Sequence, residues 1–418
     1  MAMGDQDAAV AVSVIIPVYN RMVYLGAALE SVLAQSFQHW EMVVVDDGSE
    51  EDVCGFVARY ADPRISFVRQ QNQGNAAARN AGAALASGRY LAFLDSDDVW
   101  HPEMLESCAD ELAARPEVGV VHALWEQIDA EGSPLGRPVD PWPGRGGDLL
   151  EKLILGLPIL PSSAVIRRTW FDRVGGFDVN LDDWDLWLRL ALAGCPFVLL
   201  ERYLVSYRIH ETSLHREYEA RRPVHLGTLD KLFSSPDLPD TLRGLRERAY
   251  SSQYRLLCIK AFHAHDIPTA LEGFVQAVAL DPALLTDLGF YYEIACDADL
   301  SEKEGRAKRE ILDRGQRHVE AALLHCFSRP DLRPTVRALR GRARGIAHLA
   351  LGMAYYAHAE DCGAARRHLW RAARADSRLL LTKRWYGYMA RSLLGGRIVG
   401  WARQIRNWLL VRMSEGRG

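Results

Sequence analysis

The sequence predicts an α/β fold for the first half of the chain, a doubly wound, mostly parallel sheet, followed by an all-α C-terminal domain. Three observations predict it. Up to about residue 125, short apolar runs alternate with stretches of helical spacing, the pattern of strands joined through crossover helices. Polar residues able to do chemistry collect directly after those runs, at the strand ends where open α/β sheets bind ligands. Beyond about residue 217 the chain reads as helix upon helix, with few strand signals.

The elements follow in order. Val12 to Val18 reads as the first strand, and Leu25 to Gln35 as a helix with apolar Leu25, Leu29, Val32 and Leu33 on one face. Glu41 to Asp47 is a second strand and Ile65 to Val68 a short third. Asn75 to Ala86 is an Ala-rich helix leading to a buried strand, Tyr90 to Leu94. Pro and Gly collect between 132 and 147, which predicts a long loop, a lid or acceptor-side connection rather than a domain boundary. Regular structure resumes to about 210, and the domains are set at 1–220 and 221–418.

With 418 residues, two or three domains are expected. Hydrophobic residues at 49% and charged residues at 25% supply packed cores. A net charge of −4 and a pI near 6.4 argue against a general nucleic-acid binder. The seven cysteines are odd in number, far apart and without a CxxC pair, as free thiols in a reducing compartment would be. Met1 to Ala11 lacks the basic and apolar regions of a secretory signal, and no apolar run reaches the roughly 18 residues of a spanning helix. The expectation is a soluble, cytoplasmic protein, at most peripheral on the inner face of a membrane.

The densest chemistry is Asp95-Ser96-Asp97-Asp98, directly after the Tyr90 to Leu94 strand. Three carboxylates beside an apolar interior require compensation. Mg²⁺ or Mn²⁺ fits, because hard cations take carboxylate oxygens and share them with substrate phosphates. The alternative is that Asp95 or Asp97 caps the next helix and the others are solvated. Other strand ends are equally marked: Pro17-Val18-Tyr19-Asn20-Arg21, then Asp46-Asp47-Gly48-Ser49. Asn72-Gln73-Gly74-Asn75 opens the helix bearing Arg79-Asn80. Taken singly, Asp46 and Asp47 are also the makings of a turn, Arg79 of a solvated helix charge, and Tyr19 of a cover over the sheet edge. Further along stand Gly175-Gly176-Phe177-Asp178, Asp182-Asp183-Trp184-Asp185-Leu186 and Tyr207-Arg208-Ile209-His210.

This ordered set, over roughly residues 12 to 215, resembles family 2 glycosyltransferases of the GT-A fold, which use nucleotide-diphosphate sugars. The resemblance implies that Pro17, Tyr19, Asn20, Asp47, Gly74, Arg79, Asp95, Ser96 and Arg208 bind the nucleotide sugar. It implies a divalent metal, Mn²⁺ or Mg²⁺, held by Asp97, Asp95, Asp98 and His210. It also implies that Asp183, with Asp182 beside it, deprotonates the acceptor hydroxyl. The roles make physical sense: Asp47 can accept from a base imide N–H, and Arg79 can meet pyrophosphate oxygens bidentately. Asp183 stands at the positive end of an amphipathic helix and must reach the hydroxyl proton. The family commonly has Glu where this chain has Asp182, and His210 reads equally as a structural histidine. No Gln-x-x-Arg-Trp sequence occurs, which sets aside the processive, membrane-embedded synthases. The implied activity is non-processive, inverting transfer to a hydroxyl of a glycan or lipid-linked acceptor, as in polysaccharide biosynthesis. The alternative is a helical scaffold or partner-binding protein with a decayed transferase domain. A nucleotidyltransferase would need a Gly-rich basic loop after the first strand, which Pro17 to Arg21 is not.

The second half carries a weak internal repeat. His263 to Asp281 aligns with His358 to Asp376 at an offset of 95, with His263/His358, Ala264/Ala359, Asp266/Asp361, Ala270/Ala365, Ala277/Ala372 and Asp281/Asp376 identical. Each copy resembles a tetratricopeptide-type hairpin, a surface for a protein partner; a plain helical bundle is the alternative. Residues 381–418 hold eight basic residues against Glu415 alone, a net +7. Ile398, Trp401, Ile405 and Trp408 share a helical face, so a basic amphipathic helix over 398–412 is expected, either on anionic lipid or as the last helix of the bundle.

Overall fold

The computed structural model describes residues 10–139, 148–156, 159–210, 218–296, 300 and 305–393. The chain divides into two compact units, Met1–Ala249 and Tyr250–Gly418. This division falls beyond the expected 220/221 boundary because the helix Tyr218–Ser234 is tied to the first unit. Lys231 Nζ reaches Asp178 Oδ2 at 2.7 Å and Asp185 Oδ1 at 3.0 Å, and His225 Nε2 reaches Asp182 Oδ2 at 2.8 Å.

The first unit holds one nine-stranded sheet. Its elements are β1 (Val12–Val18), α1 (Met22–Leu33), β2 (Trp40–Asp46), α2 (Val53–Ala58), β3 (Ile65–Arg69), α3 (Asn75–Leu85), β4 (Tyr90–Phe93), β5 (Val99–Trp100), α4 (Met104–Ala114), β6 (Val120–Ile128), β7 (Pro134–Val139), α5 (Leu149–Ile154), β8 (Ala164–Arg167), α6 (Arg168–Val174), α7 (Asp183–Leu192), β9 (Phe197–Arg208) and α8 (Tyr218–Ser234). The strand order is β3-β2-β1-β4-β8-β6-β9-β5, with β7 paired to β6. The half β3-β2-β1-β4 is wholly parallel, and β1 is buried along its whole length, as a strand covered on both faces must be.

Beyond β4 the sheet becomes mixed: β8 runs antiparallel to both β4 and β6, whereas β6 and β9 are parallel. Part of the segment expected to be a long loop is strand. β7 lies antiparallel to β6, with Pro134 opposite Ile128 and Pro138 opposite Glu126. Among the described residues it has β6 as its single neighbour, and on such an edge a proline's missing N–H costs no ladder bond. The rest of that loop, 140–147, lies outside the described residues.

On one face of the sheet Val14, Ile16, Met42 and Val44 pack in a core with Leu25, Leu29, Leu105 and Leu112 from α1 and α4. On the other face α3 lies very close. A Cβ at Gly82 would come within 2.4 Å of Ile15 Cγ2 and 3.1 Å of Val45 Cγ2, so a glycine there lets the helix touch the strands. That closeness brings Arg79, one turn earlier, over the carboxyl ends of β1 and β4.

After α9 (Asp240–Arg243) and α10 (Arg246–His263), the second unit continues through α11 (Ile267–Leu280), α12 (Leu288–Ala295), α13 (Gly305–Ser328), α14 (Pro334–Ala338), α15 (Arg340–His358) and α16 (Cys362–Ala375), then helical residues 383–393. The 95-residue offset is visible in the backbone. Both α11 and α16 have 14 residues, and each is capped by the repeated aspartate: Asp266 accepts from Thr269 N at 3.2 Å, Asp361 from Ala364 N at 2.8 Å. Each ends in a 3₁₀ turn, Pro282–Thr286 or Ser377–Leu381, capped by Asp281 or Asp376. The repeated Ala270, Ala277, Ala365 and Ala372 are fully buried. The helix expected over 398–412 lies outside the described residues. Among the described residues no helix is long and apolar enough to cross a membrane.

Candidate functional site

The site is built outward from the end of β4. Leu94 N still donates to Ile15 O at 3.0 Å, and the chain then turns, with Asp98 N donating to Asp95 O at 3.1 Å. Two residues brace this turn from behind. Ser162 Oγ accepts from Asp95 N at 3.1 Å and donates to Asp98 Oδ2 at 2.6 Å. Arg208 N donates to Asp98 Oδ1 at 3.1 Å, its Nε to Asp97 O at 2.8 Å, and its Nη1 to the Asp129 and Ala130 carbonyls at 3.1 and 3.0 Å. Asp98 is therefore turned inward, with both oxygens engaged by protein donors. Burial, then the charges of Asp97 and Asp95, push its carboxyl well above the usual range. Arg208 likewise commits its guanidinium to loop carbonyls, and Ser96 is buried within the turn.

Asp97 faces the opposite way. Its Oδ2 lies 2.5 Å from Arg21 Nη1 and 3.0 Å from His210 Nε2. Burial works to raise its pKa, yet the His210 hydrogen bond and the Arg21 and His210 charges outweigh it and hold the carboxyl below its ordinary range. The His210 ring lies tilted at 4.7 Å from Tyr24, whose ring also lies 5.1 Å from the Arg208 guanidinium.

Arg79 connects this turn to a distant part of the chain. Its Nη2 pairs with Asp95 Oδ1, and its guanidinium sits 5.3 Å over the Phe177 ring. Burial opposes its charge, but Asp95, then Asp183 and Asp97, outweigh burial and raise its pKa. Asp183, the first residue of α7, thus shares the electrostatic field of the β4 turn. The route is local. Asn80 Nδ2 donates to Phe177 O at 2.8 Å while Phe177 N donates to Asn80 Oδ1 at 2.9 Å, which docks the Gly175-Gly176-Phe177 turn on α3. Gly176 has φ 70°, and a Cβ there would stand 2.7 Å from Asn80 Oδ1. Arg189 then ties α7 to the same turn through the Val174 and Gly176 carbonyls at 2.5 and 2.6 Å. Asp182, just before α7, pairs with His225 of α8.

The remaining expected residues line the neighbouring strand ends. Asp47 is buried; its Oδ1 accepts from Gln70 Nε2 at 2.7 Å and Gln73 N at 2.9 Å, its Oδ2 from Gly74 N at 2.8 Å. It thereby shapes the loop that starts α3, where Gly74 takes φ 87°. Asn20, at φ 49°, donates its N–H to Ser49 Oγ at 3.0 Å and accepts from Glu50 N at 2.8 Å, locking the first two strand ends together. Pro17 lies within β1 opposite Val45, and Tyr19 is the exposed aromatic beside them.

Among the described residues no three His, Cys, Asp or Glu side chains form a group able to hold a metal ion by themselves. The donor set still suits a shared cation. Mg²⁺-type sites use one or two carboxylates and take further oxygens from substrate phosphates, and Asp95 and Asp97 are two such carboxylates at one strand end. Three residues of the constellation escaped the sequence reading: Arg21, Ser162 and His225. Arg21 stood within a marked strand end without a sign of its reach, Ser162 lies in an unmarked Pro-Ser-Ser, and His225 lies past the expected boundary.

Residues 13–175 match the family model described as glycosyl transferase family 2. An uncharacterized glycosyltransferase of Nostoc sp. is 34% identical over 216 residues, which are 49% of this chain and 66% of that protein. The Escherichia coli protein WfgD, named as a UDP-Glc:alpha-D-GlcNAc-diphosphoundecaprenol beta-1,3-glucosyltransferase, is 30% identical over 210 residues, 49% of this chain and 79% of that one. Among solved structures, residues 1–349 of S. aureus TarS align over 74% of this chain and 90% of their own length, at 18% identity and a TM-score of 0.49. The chain spans just under two thirds of the length of the Nostoc relative.

Proposed function

The chain belongs to glycosyl transferase family 2, and on that footing we propose that it moves a sugar from a nucleotide-diphosphate donor to a hydroxyl of a glycan or lipid-linked acceptor, non-processively and with inversion. The observation that carries this reading is the convergence on Arg79: one buried guanidinium lies in the field of Asp95 and Asp97 from the β4 turn and of Asp183 from the start of α7. That arrangement supports an acid–base role for Asp183 and an anion-binding role for Arg79 at one strand end.

In this reading Arg79 meets the diphosphate oxygens, whose charge grows as the sugar leaves. Asp95 and Asp97 would hold a divalent cation, Mn²⁺ or Mg²⁺, which when bound neutralises charge on the leaving diphosphate. Arg21 and His210 fix the direction of the Asp97 carboxylate. Asp183, at the positive end of α7, takes the acceptor hydroxyl proton as that oxygen attacks the anomeric carbon. The glycosidic bond forms as the bond to the diphosphate breaks on the opposite face, so a single displacement inverts the centre. The loop ordered by Asp47, with Tyr19 exposed beside it, receives the base. The diphosphate-lipid acceptor in the name of WfgD supports the acceptor class.

Incubating the full chain with a panel of nucleotide sugars, with and without Mn²⁺, tests the proposal. Metal-dependent consumption of one donor class is the expected result. If no nucleotide sugar is bound or hydrolysed with or without Mn²⁺, the reading falls and the scaffold alternative takes its place.

A further inference from the structure

Charge is spread very unevenly along this chain. Residues 362–418 hold thirteen Lys and Arg against Asp376 and Glu415, a net +11, so residues 1–361 carry −15 of the overall −4. The structure locates part of that excess. α16 buries Ala365, His368, Leu369 and Ala372 and turns Arg367, Trp370, Arg371 and Arg374 outward, a stripe at i, i+3, i+4 and i+7. The single acid of residues 362–393, Asp376, is engaged by Arg378 at 2.8 Å, so it does not neutralise the stripe.

The stripe is continuous with an apolar surface. Trp370 is 54% exposed, and its ring meets Trp385 edge-on at 5.7 Å; Trp385 in turn meets Tyr386 at 5.3 Å. Trp385 itself is buried, donating from Nε1 to Leu369 O at 2.7 Å, while Arg366 Nη1 donates to Ser392 O at 2.6 Å. These contacts hold residues 383–393 against α16. Tyr386 is 57% exposed on that surface, and Leu381 and Leu393 are exposed at 83% and 66%. A lone exposed leucine means little. Exposed leucines and aromatics interleaved with arginines, however, suit an interface where apolar groups enter hydrocarbon and guanidinium heads reach phosphates.

We propose that the outward face of α16, together with residues 383–393, docks on an anionic lipid bilayer. Charge selects the occupant. The chain's own residues 394–418, with five arginines and one glutamate, would be repelled, a second copy paired through the same face would set like charges together, and the acidic part of a second copy would leave Trp370 and Tyr386 without an apolar partner. An acidic polymer would satisfy the arginines but leave Leu381 and Leu393 in water. This inference is independent of the transfer reaction.

The test is flotation of the full chain with vesicles of phosphatidylcholine alone or mixed with phosphatidylglycerol. Binding to the mixed vesicles only, weakened by salt, is expected. A basic side chain near an anionic leaflet contributes about fivefold in partitioning, so Arg367→Glu with Arg371→Glu and Arg374→Glu lowers binding on the order of a hundredfold. Brominated lipids should quench the tryptophan fluorescence of the wild type more than that of Trp370→Phe. Two results each overturn the proposal. The wild type floats with neither vesicle, or the triple variant and Trp370→Phe behave as wild type.

Discussion

Ser162→Ala removes a single oxygen from behind the β4 turn, and its effect can be worked from the geometry. Ser162 is fully buried, and its Oγ both accepts from Asp95 N and donates to Asp98 Oδ2. Loss of the bond to Asp98 costs about 1 kcal/mol, and the orphaned, half-buried N–H at Asp95 about 1 kcal/mol more, giving about 2 kcal/mol in all. That is a large share of the roughly 5–15 kcal/mol that holds a domain folded. The same bond sets the register of Asp95 and Asp97, so metal-supported binding of a nucleoside diphosphate should weaken about tenfold or more. Urea melts read at the first unit's transition, with calorimetry using UDP or GDP and Mn²⁺, measure both effects. A double-mutant cycle with Asp98→Asn should return a coupling energy of about 0.5–3 kcal/mol, as for groups in direct contact. If Ser162→Ala melts within about 0.5 kcal/mol of wild type and binds as tightly, the turn is held by something else and the reasoning fails.

Asp183→Asn should lower transfer by about 10²-fold or more while leaving donor binding nearly unchanged, since a positioned base typically contributes that much; steady-state kinetics beside calorimetry separates the two, and a more crippling Asp182→Asn would move the base by one residue. In the second unit, His368 Nε2 bonds Gln316 Oε1 at 3.1 Å and its Nδ1 lies 3.2 Å from His348 Nδ1, while burial holds the two imidazoles down to about 3 and about 4 respectively. The unfolded chain takes up protons near pH 6.5 and the folded unit does not, so stability falls as pH drops from 7 toward 4, by about 4 kcal/mol at pH 5. Chemical melts at several pH values should show this slope, and His368→Gln should flatten it; an unchanged slope refutes the assignment. A fragment 1–249 should stay soluble and unfold cooperatively, whereas 1–220 loses the His225 and Lys231 pairs to Asp182, Asp178 and Asp185 and should melt earlier or aggregate.

The parallel half of the sheet was legible because each of its strands is a continuous apolar run and each connection a helix-period segment. β7 was not, since its prolines and glycine signal a loop unless the edge position is known. The site was legible as a set of residue types at strand ends, but not in its division of labour. In the sequence Asp95, Asp97 and Asp98 read alike, as three carboxylates for one metal. Only the positions of Ser162 and Arg208, 64 and 110 residues downstream of Asp98, decide that Asp98 looks inward and Asp97 outward. Likewise the pattern at Asp182-Asp183 marks a helix start, while its closeness to Arg79 depends on the Asn80–Phe177 bonds, which no local signal announces. The repeat was readable as spacing alone; that its aspartates are helix caps required the backbone.

Both helical hairpins of the second unit turn on a residue that carries a side chain at positive φ, His265 at 63° and Glu360 at 51°. Glycine adopts that conformation without the Cβ conflict, and helices very often end on it for that reason. Each turn therefore keeps roughly 1 kcal/mol unclaimed, less what glycine's freedom takes back in the unfolded chain. The second unit can thus be stabilised at two exposed turn positions by asparagine or glycine, at the cost, in one of them, of the contact between the His265 and His318 rings. For an engineer seeking a sturdier enzyme, these two turns are the places to begin.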